Sequence, residues 1–273
     1  MPDFFQEVFS YCQESAQDYL SLRALDTSYK IFYPDGDSLS VYKDSARTKE
    51  ELERIEKNAG QRFDQFIAQT AKIYTAVKPL LYRSFTARSL GNPFLWPLLG
   101  KIKVLRTYWQ LARSFFKSEK LCYAFTFEAM FIGVSPFQAP AFYSVISYAD
   151  HVQKIFHPMG GMYQIPLALE RMGRKMGVKF KYNAPVSGIG KKNGSLAALV
   201  GGGEIRADAV VVNADYASAQ TDLLERRIPR YQYSCSVYLL YLGLRKKIQG
   251  LAHHNLFFSK DLNSPNAPLT GFC

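Results

Sequence analysis

The chain has 273 residues, 48% of them apolar and 21% charged, a globular balance that excludes a disordered or collagen-like polypeptide and suits one large domain or two modest ones. Aromatic residues reach 15%, including 20 Phe and 18 Tyr, which fits either a Phe-rich core or a site that handles a large apolar molecule. A net charge of +11 favours an anionic partner, while four scattered cysteines without a CxxC argue against a disulfide framework or a metal site and for a reducing, cytoplasmic setting.

Residues 3–25 have a helical rhythm, with Asp3 as N-cap and Phe5, Val8, Phe9 and Cys12 on one side. Two β-prone runs, Tyr29–Tyr33 and Ser38–Tyr42, flank Asp35-Gly36, a strong hairpin signal. Thr48 and Glu51 have capping-box spacing, and the helix they open is expected to run to Lys78, before Pro79, with Gly60 weakening its middle.

Between Asp64 and Glu119 there is no acidic residue, yet this stretch carries nine Lys and Arg and both tryptophans. Phe94, Leu95, Trp96, Lys101, Lys103, Arg106 and Trp109 form a segment suited to a membrane surface, with rings at the headgroup boundary and cations on anionic lipid. Nucleic acid is the rival partner, and a solvated basic face the plain alternative. The uncharged block around Trp96 fits hydrocarbon better than phosphate. Residues 101–117 and 119–131 read as further helices, before a Gly/Pro-rich loop at 133–140. No run is long and apolar enough to span a bilayer: the best, 121–149, is interrupted by Glu128, Pro136 and Pro140.

After residue 156 the texture changes. Tyr163–Met176 reads as a helix stopped by Gly177. Strands are expected at Val178–Tyr182, Val186–Gly190, Leu196–Val200 and Ala209–Asn213, with tight turns at 192–195 and 201–204. A last strand pair is expected at Gln232–Leu242 and His254–Phe258.

No common catalytic constellation is visible. The histidines, His151, His157, His253 and His254, lack HExxH spacing, and neither a P-loop nor a GxGxxG occurs. Two signals are sharper. Gly160-Gly161 before a helix permits close approach of a cofactor to the backbone, or is a plain helix-start turn. Asn213-Ala214-Asp215 closes an apolar run, where open α/β sheets place ligand-contacting loops, or Asp215 is an N-cap.

Taken in order, these segments resemble the bacterial-type phytoene desaturase family of FAD-dependent carotenoid desaturases, within the amine-oxidase-like flavoproteins. Leu20–Asp26 with Asp35-Gly36, Ile132–Pro136 with Ala139–Ala141, and His157–Met162 carry the likeness in the first half. Asn183, Val186 and Ile189, then Asp208–Asp215 and Tyr233–Ser236 with Tyr241–Leu244, carry it in the second.

The resemblance implies a mixed α/β chain. Residues 1–157 are expected to be a helical substrate and membrane part with the hairpin. Residues 158–228 would be the helix and β-meander of a flavin domain whose dinucleotide fold is missing, and 229–273 strands returning to the substrate domain. It implies FAD in the full-length enzyme, with Val186 beside the adenine and Gly160, Gly161, Asn213 and Asp215 toward the rest of the flavin, and no FAD bound by this segment alone. It further implies desaturation of a long apolar polyene by hydride transfer, at a peripheral membrane site, with the flanking segments of the same enzyme as partners and no nucleic acid. Phe125, Phe127, Phe131, Phe137, Phe142 and Tyr143 are candidates to line the polyene site, or are core. A carotenoid isomerase or a retinol-saturase-like activity is the alternative within the family; a non-catalytic basic module for membrane or nucleic acid is the alternative outside it. The resemblance transfers no catalytic acid or base.

Overall fold

The computed structural model describes residues 2–80, 100, 105–192, 195–230, 233, 237–246 and 248–259. The chain divides into two compact units, one formed by 1–168 with 234–273 and the other by 169–233.

In the first unit, α1 (Pro2–Tyr11) buries Phe9 and then stops. The expected helix to residue 25 is thus wrong beyond Tyr11. A short 3-10 turn at Ala16–Asp18 follows, and Leu22–Ala24 is strand β1, paired antiparallel with β4 (Phe156–Pro158). The hairpin is as expected: β2 (Thr27–Phe32) pairs with β3 (Ser38–Tyr42), and Gly36 takes φ +85° in the turn. That turn is clamped by charge. Lys120 reaches Asp35 at 2.6 Å and Asp37 at 2.9 Å, and Arg54 reaches Asp37 at 2.6 Å. Partial burial raises the Asp37 carboxyl, but hydrogen bonds from Lys120 and Arg54 outweigh it and hold the group at about 2.

The capping box at Thr48 does not form. Asp44 caps α2 (Ser45–Ile55) by accepting from Ala46 N at 2.9 Å, and buried Thr48 lies inside the helix, accepting from Tyr42 N. The single helix expected to Lys78 is two. Asn58 turns left-handed, Glu53 accepts the amides of Asn58 and Gly60, and α3 (Ala59–Val77) begins anew. Gly60 therefore sits at a helix start, where an added Cβ would lie 3.1 Å from Lys49 Cβ; it permits close approach of α2 and α3.

Phe63, Phe66, Thr70 and Ile73 recur at spacings of three and four and bury one face of α3. Phe63, Phe66 and Ile73 share one core with Ile31, Leu39 and Val41 from the hairpin, Leu111 from α4 (Tyr108–Arg113) and Leu121 from α5 (Glu119–Ala124). Both of these helices are shorter than expected: α4 is one capped turn and a half, and Phe127–Ile132 is a tight 3-10 segment ended by Gly133 at φ +72°. Later come α6 (Val145–Tyr148) and β8 (Asn255–Phe257), which pairs parallel with β2 and, among the described residues, not with 237–242.

Helix α7 (Gln164–Lys175) matches expectation, and the boundary between the units falls within it. In the second unit β5 (Val186–Lys192), β6 (Ser195–Val200) and β7 (Gly203–Ala207) form an antiparallel meander, with Gly201-Gly202 turning at positive φ. Two strands expected here do not form. Residues 178–182 and 209–213 make no ladder among the described residues, and Val211 is 92% exposed. In the first unit, the described residues 237–242 likewise form no ladder. Apolar character alone does not make a strand: each amide and carbonyl needs a neighbouring chain to bond, and none is supplied among the described residues.

Candidate functional site

Gly160 and Gly161 form the turn that leads from β4 into α7. Their φ angles are +90° and +96°, and Gly161 N donates to Pro158 O at 3.0 Å. An added Cβ on Gly160 would meet the Gln164 side chain at 3.1 Å, whereas nothing lies within 4 Å of that position on Gly161. Only glycine adopts this backbone without strain.

The other flavin-side candidates lie in the second unit. Val186 opens β5, is 42% exposed, and precedes a register irregularity at Gly188. Asn213 is exposed in irregular chain. Asp215 is occupied as a helix cap. Its Oδ1 accepts from Ser218 N at 2.9 Å at the start of the short helix α8 (Tyr216–Ser218), whose wide continuation at 219–223 packs on β5.

The aromatic candidates separate by surroundings. Phe125 and Phe127 are buried in the first unit's core, Phe125 ringed by Phe63, Phe66, Phe116 and His151 at 5.0–5.7 Å. Phe131 is 64% exposed. Phe137 packs on Trp109 at 4.7 Å, and Phe142 on Tyr143 at 4.4 Å. Of the membrane candidates, Phe94, Leu95, Trp96, Lys101 and Lys103 lie outside the described residues. Arg106 is exposed and Trp109 half-buried between Tyr123 and Phe137. Among the described residues no helix is long and apolar enough to cross a membrane, and no His, Cys, Asp and Glu group is arranged to hold a metal.

A buried polar cluster is not foreseen from the sequence. Glu128 is 0% exposed and lies beside Tyr108 and Ser147, with Oε2 at 3.1 Å from Tyr108 Oη and Oε1 at 3.0 Å from Ser147 Oγ. The two hydroxyls are 2.6 Å apart. Burial, then the nearby Asp150 carboxyl, pushes Glu128 far above the ordinary carboxylate range, and burial raises Asp150 too. Next to it, His151 Nε2 lies 3.3 Å from Tyr29 Oη, which also reaches Ala124 O at 3.3 Å. Burial and Lys154 push His151 down to about 3, so it stays neutral at physiological pH. The one signal in the sequence is a lone acid, Glu128, within the apolar stretch 121–149.

The model for flavin containing amine oxidoreductases matches residues 6–248. The chain belongs to that family. Among curated members it is 34% identical to a zeta-carotene-forming phytoene desaturase of Myxococcus xanthus, over 96% of this chain and 52% of that protein. It is 30% identical to a 4,4'-diapophytoene desaturase of a Methylomonas species and to a carotenoid 3,4-desaturase of Haloarcula japonica, again over 96% of this chain, and over 53% and 55% of theirs. The chain thus spans about half the length of the curated relatives it matches. A solved putrescine oxidase structure overlaps 74% of this chain and 43% of its own at 13% identity and a TM-score of 0.45, too loose a likeness to carry weight.

Proposed function

We propose that this flavin amine oxidoreductase chain is the central part of an FAD-dependent carotenoid desaturase. The observation that carries the reading is the likeness of 96% of the chain to proteins named as desaturases of phytoene, diapophytoene and a carotenoid. An amine substrate is the family's other direction.

The chain's own residues fit a flavin in a limited way. The Gly160-Gly161 turn offers backbone that a flavin can approach closely, with room at Gly161 that a Cβ would take. Val186 would meet the adenine through backbone atoms, and Asn213 and the Asp215 cap would shape a loop toward the cofactor. The sequence contains no GxGxxG phosphate cradle, so none of these residues would hold the flavin's phosphates. Bound FAD supplies the acceptor for the hydride that leaves an allylic carbon, the accompanying proton being lost nearby.

A polyene has no charge to grip, so apolar surface must hold and orient it. Phe131, Phe137, Phe142 and Tyr143 retain exposed surface for such contact, whereas Phe125 and Phe127 serve the core. Arg106 and the basic aromatic stretch before it would hold the enzyme at the bilayer where such a substrate dissolves. The test is expression of the longer protein that contains this chain in cells accumulating phytoene. Coloured, longer-conjugated products support the reading; unchanged phytoene and diapophytoene with a fully flavin-loaded protein overturn it.

A further inference from the structure

The Tyr108, Ser147 and Glu128 oxygens make three mutual contacts, at 2.6, 3.0 and 3.1 Å. Each contact at hydrogen-bonding distance needs one proton between its oxygens. If Glu128 is ionised, only the two hydroxyl protons are available, and one pair of buried oxygens faces lone pair to lone pair. If Glu128 is a neutral acid, three protons serve three contacts. The carboxyl proton goes to Tyr108 Oη, the tyrosine proton to Ser147 Oγ and the serine proton to Glu128 Oε1, closing a ring in which every group gives once and accepts once. The reverse circulation is equally complete. The longer 3.4 Å contact from Ser147 to Phe125 O does not change the count, since it too would draw on the serine proton.

We infer that Glu128 is kept as a neutral carboxylic acid and that its ring with Tyr108 and Ser147 is a proton latch, tying α4 and α6 to the 127–132 segment and opening when the proton is lost. This goes beyond the desaturase reading and does not depend on it. The other titratable groups that act on the cluster are Asp150 and Tyr29, with His151 beyond, at 3.3 Å from Tyr29 Oη. Tyr29 and Tyr108 are raised by burial and then by Glu128, and so stay protonated; His151 stays neutral. None of these supplies a positive charge to stabilise an ionised Glu128, and Asp150 opposes it.

The direction of pH dependence follows. The folded chain holds a proton that the unfolded chain releases in the ordinary carboxylate range. The latch therefore contributes fully below that range and weakens as pH rises through it toward the raised folded value, beyond which the loss is constant. For one proton, the unfolding constant rises by up to ~10-fold per pH unit inside that window. Asp37, whose folded value is depressed, acts in the opposite sense and only at acidic pH.

Urea unfolding of the 273-residue chain across mildly acidic to alkaline pH tests the latch, with Glu128→Gln, Asp150→Asn and Tyr108→Phe beside the wild type. Glutamine keeps a donor and an acceptor in the ring, so Glu128→Gln is expected to remove the latch's share of the proton-linked loss and leave that of buried Asp150, while Asp150→Asn removes only the latter. Isotope-edited infrared spectra of the wild type, labelled at glutamate carboxyls, are expected to show a protonated acid at neutral pH that Glu128→Gln and Tyr108→Phe alter. Should Glu128→Gln fail to fold, the wild-type and Asp150→Asn spectra decide the question alone. Absence of the acid band at neutral pH, or parallel pH profiles for wild type and Glu128→Gln, overturns the inference. So does a profile flattened by Asp150→Asn in place of Glu128→Gln, which would put the proton on Asp150.

Discussion

Truncating Phe125 separates a core residue from a substrate-lining one. Its ring is fully buried, with the rings of Phe116 at 5.0 Å, Phe63 and His151 at 5.3 Å and Phe66 at 5.7 Å. Phe125→Ala removes a whole aromatic side chain from a site walled by stiff rings that collapse poorly, so a loss near ~4 kcal/mol is expected. That is nearly 10³-fold in the unfolding constant, or roughly a 1–2 M fall in urea midpoint. Phe131, 64% exposed, is the internal control: Phe131→Ala should stay within about 0.5 kcal/mol. Tryptophan fluorescence is a suitable probe, because Trp109 packs on Tyr123 and Phe137 within the first unit. An unchanged midpoint for Phe125→Ala, combined with lost polyene binding in the longer protein, would falsify the core assignment and make Phe125 part of the substrate surface.

Other expectations concern cofactor and membrane. The 273-residue chain alone is expected to bind no stoichiometric FAD, for want of the phosphate cradle; a shifted flavin spectrum at about one equivalent after gel filtration contradicts this. Sedimentation with anionic vesicles should be charge-dependent and should drop when Phe94, Leu95 and Trp96 become Ser, whereas tight oligonucleotide binding lost with Lys101, Lys103 and Arg106 favours nucleic acid. Asp215→Ala should cost about 1 kcal/mol in the second unit, and Asp215→Asn almost nothing, because asparagine also caps; an Asp215→Asn enzyme with full FAD and normal melting but no turnover points to proton transfer instead. Val186→Ala should be mild and Val186→Pro severe for FAD content in the longer protein, since proline removes the strand amide.

What could be read from sequence was what local chemistry determines. Asp35-Gly36 demanded a turn, and the alternation of Tyr29, Ile31, Leu39 and Val41 put one face of the hairpin in the core. The Gly201-Gly202 turn of the meander and helix α7 were legible for the same reason. Caps were less so: Thr48 and Asp44 both satisfy the local rule, and the structure uses Asp44 because Thr48 is drawn inward by the Tyr42 backbone. Residues 178–182 and 209–213 misled because β-prone side chains report burial, not the presence of a partner strand. At the candidate site, Asp215 as a cap could be read from its position, whereas the Glu128 ring could not. Its three members lie up to 39 residues apart and meet only through the packing of α4 and α6 around residues 127–132.

Anaerobic single turnover of the longer protein containing this chain, loaded with FAD and mixed with phytoene in liposomes, tests the desaturase proposal most directly. The expected result is loss of the oxidised-flavin band in step with a red-shifted polyene spectrum, one new double bond for each flavin reduced. Flavin that stays oxidised with phytoene and diapophytoene, yet is bleached by an amine, would contradict it.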